Sequence, residues 1–225
     1  MDIGKAFAYV FDDEQWVSSI LIAGLLLLVP FLGTILIIGY ALEAARNVAM
    51  GSPRPLPKWD NFGEKLNLGF VGFVISLVYS LPVILIGGLI FCAAIGFAGA
   101  SGSEESAVIA IFGSLGCLVP LLIVLALALQ PLMLAAMVRY LQMGSLGEAF
   151  NFGAVIGMVR QDLGGWVVLW LLSILCSLVG SVGSIIVVGF IFTVPYGQAV
   201  FGHLLGQMLQ RLGRPGGFEY APPVV

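Results

Sequence analysis

The sequence predicts an all-α integral membrane protein, a polytopic helical bundle of about six transmembrane helices arranged as three hairpins. Two observations support this prediction. Hydrophobic residues make up 60% of the 225 residues and charged residues only 9%, whereas a soluble domain carries about a quarter charged residues. The uncharged residues are also gathered into long runs, with the few cations placed between them. We therefore expect lipid, and not water, to surround most of the chain.

Four uncharged runs, residues 16–42, 66–103, 106–138 and 163–210, are long enough to cross a bilayer, because a crossing takes about 20 apolar residues. The last run contains Gly180, Ser181, Gly183 and Ser184 near its middle, a composition typical of a tight turn between two helices. A Gly/Ser/Glu loop at residues 99–106 separates the second and third runs. The first run fits either one long tilted helix or two short helices broken at residues 30–33.

The placement of the cations favours a break in the first run. All nine Lys and Arg residues lie near the termini, between the first and second runs, or between the third and fourth runs. Basic residues beside membrane spans are retained in the cytoplasm. All nine cations lie on the same side of the membrane only if the first run forms a hairpin that returns to the side from which it enters. The charges therefore predict six spans in the plasma (cytoplasmic) membrane, with both termini in the cytoplasm.

A short motif recurs at the start of each predicted hairpin, at residues 3–7 (IGKAF), 62–66 (FGEKL) and 146–150 (LGEAF). Each copy follows a residue that favours a helix N-cap: Asp2, Asn61 or Ser145. Each hairpin also closes on a glycine suited to a helix C-cap: Gly51, Gly144 or Gly213. We expect an interfacial helix at each motif and one membrane domain, residues 1–213, with repeats at about 2–51, 60–144 and 145–213. Residues 214–225 are expected to form a flexible tail.

Polar residues occur deep in two of the predicted spans: Gln130 and Pro131 in the fourth, and Pro195, Tyr196 and Gln198 in the sixth. A proline leaves a helical carbonyl without its donor, and a neighbouring polar side chain can satisfy that group. We favour kinked helices with local hydrogen bonds. The alternative is a broken helix that lines a small polar cavity.

The cytoplasmic stretch at residues 54–63 combines prolines with Trp59, Asp60 and Asn61. The stretch is interpreted either as a docking site for a partner or as a rigid linker between repeats. We favour the linker, because its length is typical of a connection between structural elements. Trp59, together with Trp16 and Trp166, is predicted to be an interfacial anchor.

Small residues spaced four apart also occur in the sequence, as Gly202/Gly206 and Gly153/Gly157. Such pairs let helices approach closely. They would serve packing within the chain or association between chains, and the sequence does not separate the two.

The sequence contains no arrangement that predicts catalysis or a cofactor. His203 is the only histidine and has no acid or thiol at ligand spacing, so we expect no metal site and assign it a hydrogen bond at headgroup level. Cys92, Cys117 and Cys176 lie in apolar stretches and are read as small buried hydrophobes, with a Cys92–Cys117 disulfide left open. No basic run suggests nucleic acid. We predict no catalytic residue, no cofactor, no metal and no enzymatic activity.

Residues 2–7 (DIGKAF) with Trp16, and residues 56–63 (LPKWDNFG), resemble domain-of-unknown-function family 4013, a group of uncharacterised prokaryotic multi-span membrane proteins. The likeness extends over most of the chain. It implies a prokaryotic plasma-membrane protein and brings no substrate or catalytic residue.

We therefore expect a non-enzymatic accessory or organising subunit, or a membrane scaffold. It would contact the lipid bilayer and associate with other membrane proteins or with itself through Gly-rich helix faces. The alternative is a permease or channel-like protein for a small apolar or zwitterionic molecule or a lipid.

Overall fold

The structure, a computed structural model, describes residues 1–100, 103–183 and 187–213. All regular elements in these ranges are helical, which confirms the all-α prediction. The helices are, in chain order, α1 (Ile3–Ala8), α2 (Trp16–Leu26), α3 (Leu32–Ala49), α4 (Phe62–Ala100), α5 (Glu104–Met143), α6 (Leu146–Ala149), α7 (Phe152–Gln161), α8 (Leu163–Gly183) and α9 (Val187–Arg211), with a 3-10 turn at Tyr9–Asp12 between α1 and α2.

Long apolar helices indicate a membrane protein. Within the described residues, α3, α4, the Leu118–Met143 part of α5, and α8 are long and apolar enough to cross a membrane. Helix α2 is apolar but has only 11 residues, which cover about 16 Å at a rise of 1.5 Å per residue. The structure therefore offers four such helices by length and composition, and six full spans stay a prediction.

The break predicted in the first uncharged run is confirmed. Helix α2 ends at Leu26 and α3 begins at Leu32. Pro30 between them has no N–H to continue a helix, and Phe31 adopts a φ of 69°, which an α-helix does not accept. The loop predicted at residues 99–106 is shorter in the structure, because α4 ends at Ala100 and α5 begins at Glu104. Helix α8 runs through Gly180 and Ser181 to Gly183, so these residues do not form the predicted turn, and Ser184 lies outside the described ranges.

The predicted capping residues are confirmed in part. Asp2 and Asn61 accept hydrogen bonds from the backbone N–H groups of Lys5 (2.9 Å) and Glu64 (3.3 Å), whereas Ser145 makes no side-chain capping bond. The interfacial helix predicted at residues 62–66 is wrong, because Asn61 caps α4 itself and α4 continues for 39 residues.

The three closing glycines have the conformation that the sequence predicts. Gly51, Gly144 and Gly213 have φ values of 74°, 67° and 80°. This left-handed conformation costs a residue with a Cβ about 1–2 kcal/mol, which is why glycine follows these helix ends. Each of these helices therefore ends at a defined residue, after which the chain can change direction.

The described chain divides into two compact units. Unit 1 comprises residues 1–75 and the chain from residue 134 onward, and unit 2 comprises Ser76–Met133. Unit 2 contains the distal parts of α4 and α5, which are joined through residues 99–106. Large apolar side chains such as Leu85 and Leu89 are exposed in unit 2, as expected of helices that face lipid.

In unit 1, α9 lies at the centre of the packing, where it contacts α1, α2, α3 and α8. A Cβ on Gly202 or Gly206 of α9 would overlap the carbonyl oxygens of Ala41 or Ala45 in α3. These glycines therefore let the two helices touch backbone to backbone, and the predicted use of Gly202/Gly206 in close packing is confirmed within the chain.

The second predicted small-residue pair lies in a different environment. A Cβ on Gly157 would meet no atom within 4 Å, and one on Gly153 would meet only the side-chain oxygen of Asn151. Gly153/Gly157 therefore plays no part in packing between the described helices.

Candidate functional site

Polar side chains join the ends of the helices of unit 1. We call the residues that make these contacts the polar layer: Asp2, Glu43, Arg46, Val48, Glu64, Lys65, Arg139, Gln142, Glu148, Asp162, Gln207, Gln210, Arg211 and Gly213. Its contacts link the end of α3 to the start of α4 and to the end of α9, and the end of α9 to the starts of α1 and α8. The ends that carry the cations of the sequence therefore meet in one place.

The most buried member of the polar layer is a lysine. Lys65 in the first turn of α4 is fully enclosed, and its Nζ lies 2.9 Å from an Oε of Glu43 in α3. The same Nζ lies 5.5 Å from the centre of the Trp59 ring, a distance at which a cation is attracted by the ring face. An ion pair enclosed in this way stabilises the fold only while both partners are present.

Glu43 and Arg46 lie three residues apart on α3, a spacing that allows a local ion pair. Instead, Glu43 pairs with Lys65 and Arg46 pairs with Glu64. The close approach of α4 to α3 explains the exchange, because a Cβ on Gly39 of α3 would overlap the backbone oxygen of Lys65. Charges on α4 are thereby brought within reach of both residues of α3.

Two contacts of the polar layer occupy matching positions of the repeated motif. Arg46, five residues before Gly51, pairs with Glu64 of the second motif. Arg139, five residues before Gly144, pairs with Glu148 of the third motif at 2.5 Å. In both pairs the Arg side chain is 23% exposed and the Glu side chain 35% exposed. The helix end before Gly51 and the helix end before Gly144 are thus joined in the same way to the motif that follows each of them.

A third junction, between the end of α9 and the first motif, uses different groups. Lys5 occupies the motif position of the glutamates, and Met208 occupies the position of the arginines. Here the Gln207 side chain accepts from the Asp2 N–H at 2.6 Å and donates to the Asp2 carbonyl at 2.9 Å. A neutral amide therefore replaces the ion pair where the end of α9 meets the start of α1.

Two tyrosines dock the N-terminal segment on α9. The Tyr9 hydroxyl donates to the Ala199 carbonyl and the Tyr196 hydroxyl donates to the Phe7 carbonyl, both at 2.9 Å. The Tyr9 ring also lies 4.5 Å from the His203 ring. Burial, followed by the nearby Tyr40 and Tyr196, raises the pKa of Tyr9 well above its usual range, so the phenol keeps the proton that it donates.

A cavity of about 820 Å³ opens beside this third junction. Charges of both signs line it: the carboxylates of Asp2, Asp12 and Asp13, and the cations of Lys5, Arg54 and Arg211. His203, Gln207 and Gln210 also line the cavity and add polar groups that carry no fixed charge.

Two of the three cations that line the cavity are already paired. Arg54 lies 3.0 Å from Glu14, and Arg211 lies 2.8 Å from Asp162. Within the described ranges Lys5 makes no ion pair. Among the cationic side chains that line the cavity, Lys5 is therefore available to a polar molecule, beside several carboxylates. This arrangement suits a group carrying both charges.

The polar residues predicted at depth lie in continuous helices. Helix α5 runs through Pro131 and α9 runs through Pro195 without a break, and the two prolines belong to different units. Tyr196 binds the N-terminal segment, and Gln198 beside it is half-buried. The cavity of unit 1 is thus lined by residues other than the predicted set Gln130, Pro131, Pro195, Tyr196 and Gln198.

The linker at residues 54–63 is packed onto the fold. The Trp59 indole donates to the Ser19 carbonyl at 2.8 Å, and its ring stacks on Tyr40 at 5.4 Å. Asp60 is exposed and Asn61 caps α4. The Trp59 ring therefore serves internal packing, and of the predicted docking residues Asp60 is the one that remains open.

Trp16 and Trp166, the other two predicted interfacial anchors, differ in burial. Trp16 is half-buried and packs against the buried cluster that contains Val10 and Ile20. Trp166 is fully buried, and its indole donates to the Met158 carbonyl at 3.2 Å. The Trp166 ring therefore ties α8 to α7 inside the protein and does not contact headgroups.

Gln207, Tyr9 and Lys65 are the site residues that sequence reasoning missed. The spacing of His203 and Gln207 was a usable signal, since Gln207 Nε2 lies 3.0 Å from His203 Nδ1. Elsewhere, Cys92 is free and exposed, contrary to expectation, and Cys176 is free and buried. The Cys117 side chain lies outside the described residues, and because Cys92 is free the Cys92–Cys117 disulfide that the sequence left open is not formed in this structure. Across the described ranges, no group of three or more His, Cys, Asp or Glu is arranged to hold a metal ion.

Comparison with known families gives one match. The model of the family described as "Protein of unknown function (DUF4013)" matches residues 22–191. No curated protein and no solved structure matches the chain.

Proposed function

This chain belongs to DUF4013, a family of proteins of unknown function, and we propose that it is a non-enzymatic membrane scaffold, an accessory or organising subunit of the prokaryotic plasma membrane. In this proposal three hairpins enter the membrane from the cytoplasmic side, both termini stay in the cytoplasm, and the polar layer lies at that face. Clustering of the helix ends in the polar layer supports the orientation, because the same ends carry the cations that are retained in the cytoplasm.

The observation that carries the scaffold proposal is the way in which the polar layer uses its charges. Four of its acidic residues pair with basic ones across helix ends, and Gln207 joins the end of α9 to the start of α1. These side chains hold segments of protein to one another. Such an arrangement supports a rigid platform at the membrane face.

The apolar surface of unit 2 supplies the other half of the proposal. Its helices expose large side chains such as Leu89 (72%), Phe97 (66%) and Phe112 (69%). Exposed apolar surface of this kind contacts lipid or other membrane proteins. A platform with an apolar hairpin suits a subunit that organises neighbours in the bilayer.

Purification in mild detergent and reconstitution test the proposal together. We expect the chain to leave native membranes in a complex with a fixed set of membrane proteins or with copies of itself. In liposomes it should move solutes and lipids no faster than empty vesicles do. A chain that is recovered alone and accelerates flux would contradict the proposal.

The mixed-charge cavity favours a second candidate function, a permease or channel-like protein for a zwitterionic small molecule or lipid headgroup. Lys5 can pair with a phosphate or carboxylate while Asp12 pairs with an ammonium group, and both residues line the cavity. The double variant Lys5→Gln/Asp12→Asn should abolish flux in a permease and leave a scaffold's complex intact. Gln130→Leu and Gln198→Leu extend the comparison, since a permease should lose activity where a packing protein changes only in stability.

A further inference from the structure

The arms of the first hairpin are shorter than a membrane is thick. Helix α2 has 11 residues and covers about 16 Å. Helix α3 reaches the length of a candidate span, 18 residues, only if its charged end from Glu43 to Ala49 is included. The uncharged part of α3, residues 32–42, is as short as α2. The hydrocarbon core of a bilayer is about 30 Å thick. Helix α8, with 21 residues, covers about 31 Å by the same rise. The uncharged parts of α2 and α3 are therefore too short to cross the hydrocarbon core, whereas α8 is long enough.

Charges at the base of both arms limit how deeply the hairpin can enter. Asp12 and Glu14, just before α2, are exposed. On the other arm, Glu43 follows residue 42 directly and is held by Lys65 in the polar layer. Moving the hairpin deeper would carry these charges into hydrocarbon, which is costly. The short arms therefore start at the membrane surface and cannot slide toward the far side.

The tip of the hairpin has the composition of a lipid-facing segment. Residues 27–32 read LLVPFL and include no polar side chain. Leu28 is 59% exposed and Phe31 is 72% exposed. A turn in water is normally built from Gly, Asn, Asp and Ser. The connection from α4 to α5 follows that rule, since Ser103 is exposed just before α5 and Glu104 and Glu105 are exposed in the first turn of α5. The tip contains none of these turn residues.

The backbone of the tip meets the requirement that lipid imposes. In hydrocarbon a backbone N–H must find its partner inside the protein. The N–H groups of residues 27, 28, 29, 32 and 33 donate to carbonyls within the hairpin at 2.7 to 3.2 Å, and Pro30 has no N–H. The N–H of Phe31 is the exception in this described segment. The turn therefore presents almost no unsatisfied donor to its surroundings.

From these four observations we propose that α2 and α3 form a re-entrant hairpin. It enters from the polar layer, turns inside the hydrocarbon with Leu28 and Phe31 against lipid acyl chains, and returns to the same face. The number of complete crossings then falls from the predicted six to four, and both termini keep their side. The inference goes beyond the scaffold proposal and holds equally for a permease.

Labelling of single cysteines tests the depth of the tip. Cys92, Cys117 and Cys176 are first replaced by Ser, and Leu28→Cys is compared with Ser103→Cys at the α4–α5 loop and Ser52→Cys beside the polar layer. A membrane-impermeant maleimide is applied to intact cells and to inverted vesicles. We expect Ser103→Cys to react only from outside and Ser52→Cys only from inside. Leu28→Cys should react from neither side, and fully after denaturation.

A spin label on Leu28→Cys in reconstituted vesicles separates lipid from protein around the tip. In lipid, collisions with oxygen should exceed collisions with a water-soluble nickel complex by at least tenfold. Low accessibility to both would mean that protein covers the tip, and would overturn the proposal. Maleimide labelling from the outside at the Ser103→Cys rate would overturn it too, because the hairpin would then cross. Labelling from the inside would show a hairpin lying on the surface.

Discussion

The enclosed ion pair between Glu43 and Lys65 gives the sharpest prediction on stability. The Lys65 side chain is fully buried and its Nζ lies 2.9 Å from Glu43. Glu43→Leu leaves this cation without its acid, and Lys65→Met leaves the acid without its cation. Breaking a buried pair in either way costs about 3–5 kcal/mol. Replacing both residues, as Glu43→Leu with Lys65→Met, removes both charges together and should cost far less than either single change, or even stabilise the protein.

The assay is a double-mutant cycle on the free energy of unfolding, measured by titrating the purified protein from mild into denaturing detergent while following its helical signal. Glu14→Gln is the matched control, because its pair with Arg54 has side chains 79% and 60% exposed and should contribute no more than about 1 kcal/mol. A coupling energy of about 2 kcal/mol or more between Glu43 and Lys65 is expected. Additive effects of the two substitutions would refute the argument.

Three further predictions follow from the packing and the docking of the N-terminal segment. Gly202→Ala should destabilise the protein by about 1–3 kcal/mol because its Cβ meets a backbone carbonyl of α3, whereas Gly157→Ala, in open space, should be neutral or stabilising by up to about 1 kcal/mol in the same titration. Gln207→Ala removes both bonds to Asp2 and should speed amide hydrogen exchange in α1 without altering exchange in α8; unchanged exchange in α1 would count against the docking contact. Because burial raises the pKa of Tyr9 above its usual 10.0, the unfolded phenol ionises first and stability falls as the pH rises past 10; Tyr9→Phe should lose less stability there, and an equal loss would contradict the assignment.

Local signals in the sequence predicted local structure well. Pro30 marked the break between α2 and α3, because a residue without a backbone N–H interrupts the helix at the position where it stands. Gly51 and the two other closing glycines marked helix ends, because a positive φ is a property of one residue. Gly202 and Gly206 marked a close contact, because a glycine allows another helix to approach closely whichever helix that is.

Contacts between distant segments were harder to predict. Lys65 sits beside Glu64 in a motif that suggested an exposed helix, and only the approach of α4 to α3 buries it. Trp166 was assigned to the membrane surface because tryptophan is common there, yet tryptophan is also a large core residue, and the choice depends on α7. The Asp2–Gln207 junction joins residues 205 positions apart, a pairing that no local pattern specifies.

The central claim is that all three hairpins enter from the face that carries the polar layer, with both termini in the cytoplasm. Fusions that end after Ser52, Gly144, Gly213 or Ser103 test it directly, each joined either to a fluorescent protein active only inside the cell or to a phosphatase active only outside. The account predicts fluorescence after Ser52, Gly144 and Gly213 and phosphatase activity after Ser103. Phosphatase activity after Ser52 would contradict it, because the first hairpin would then be a single crossing.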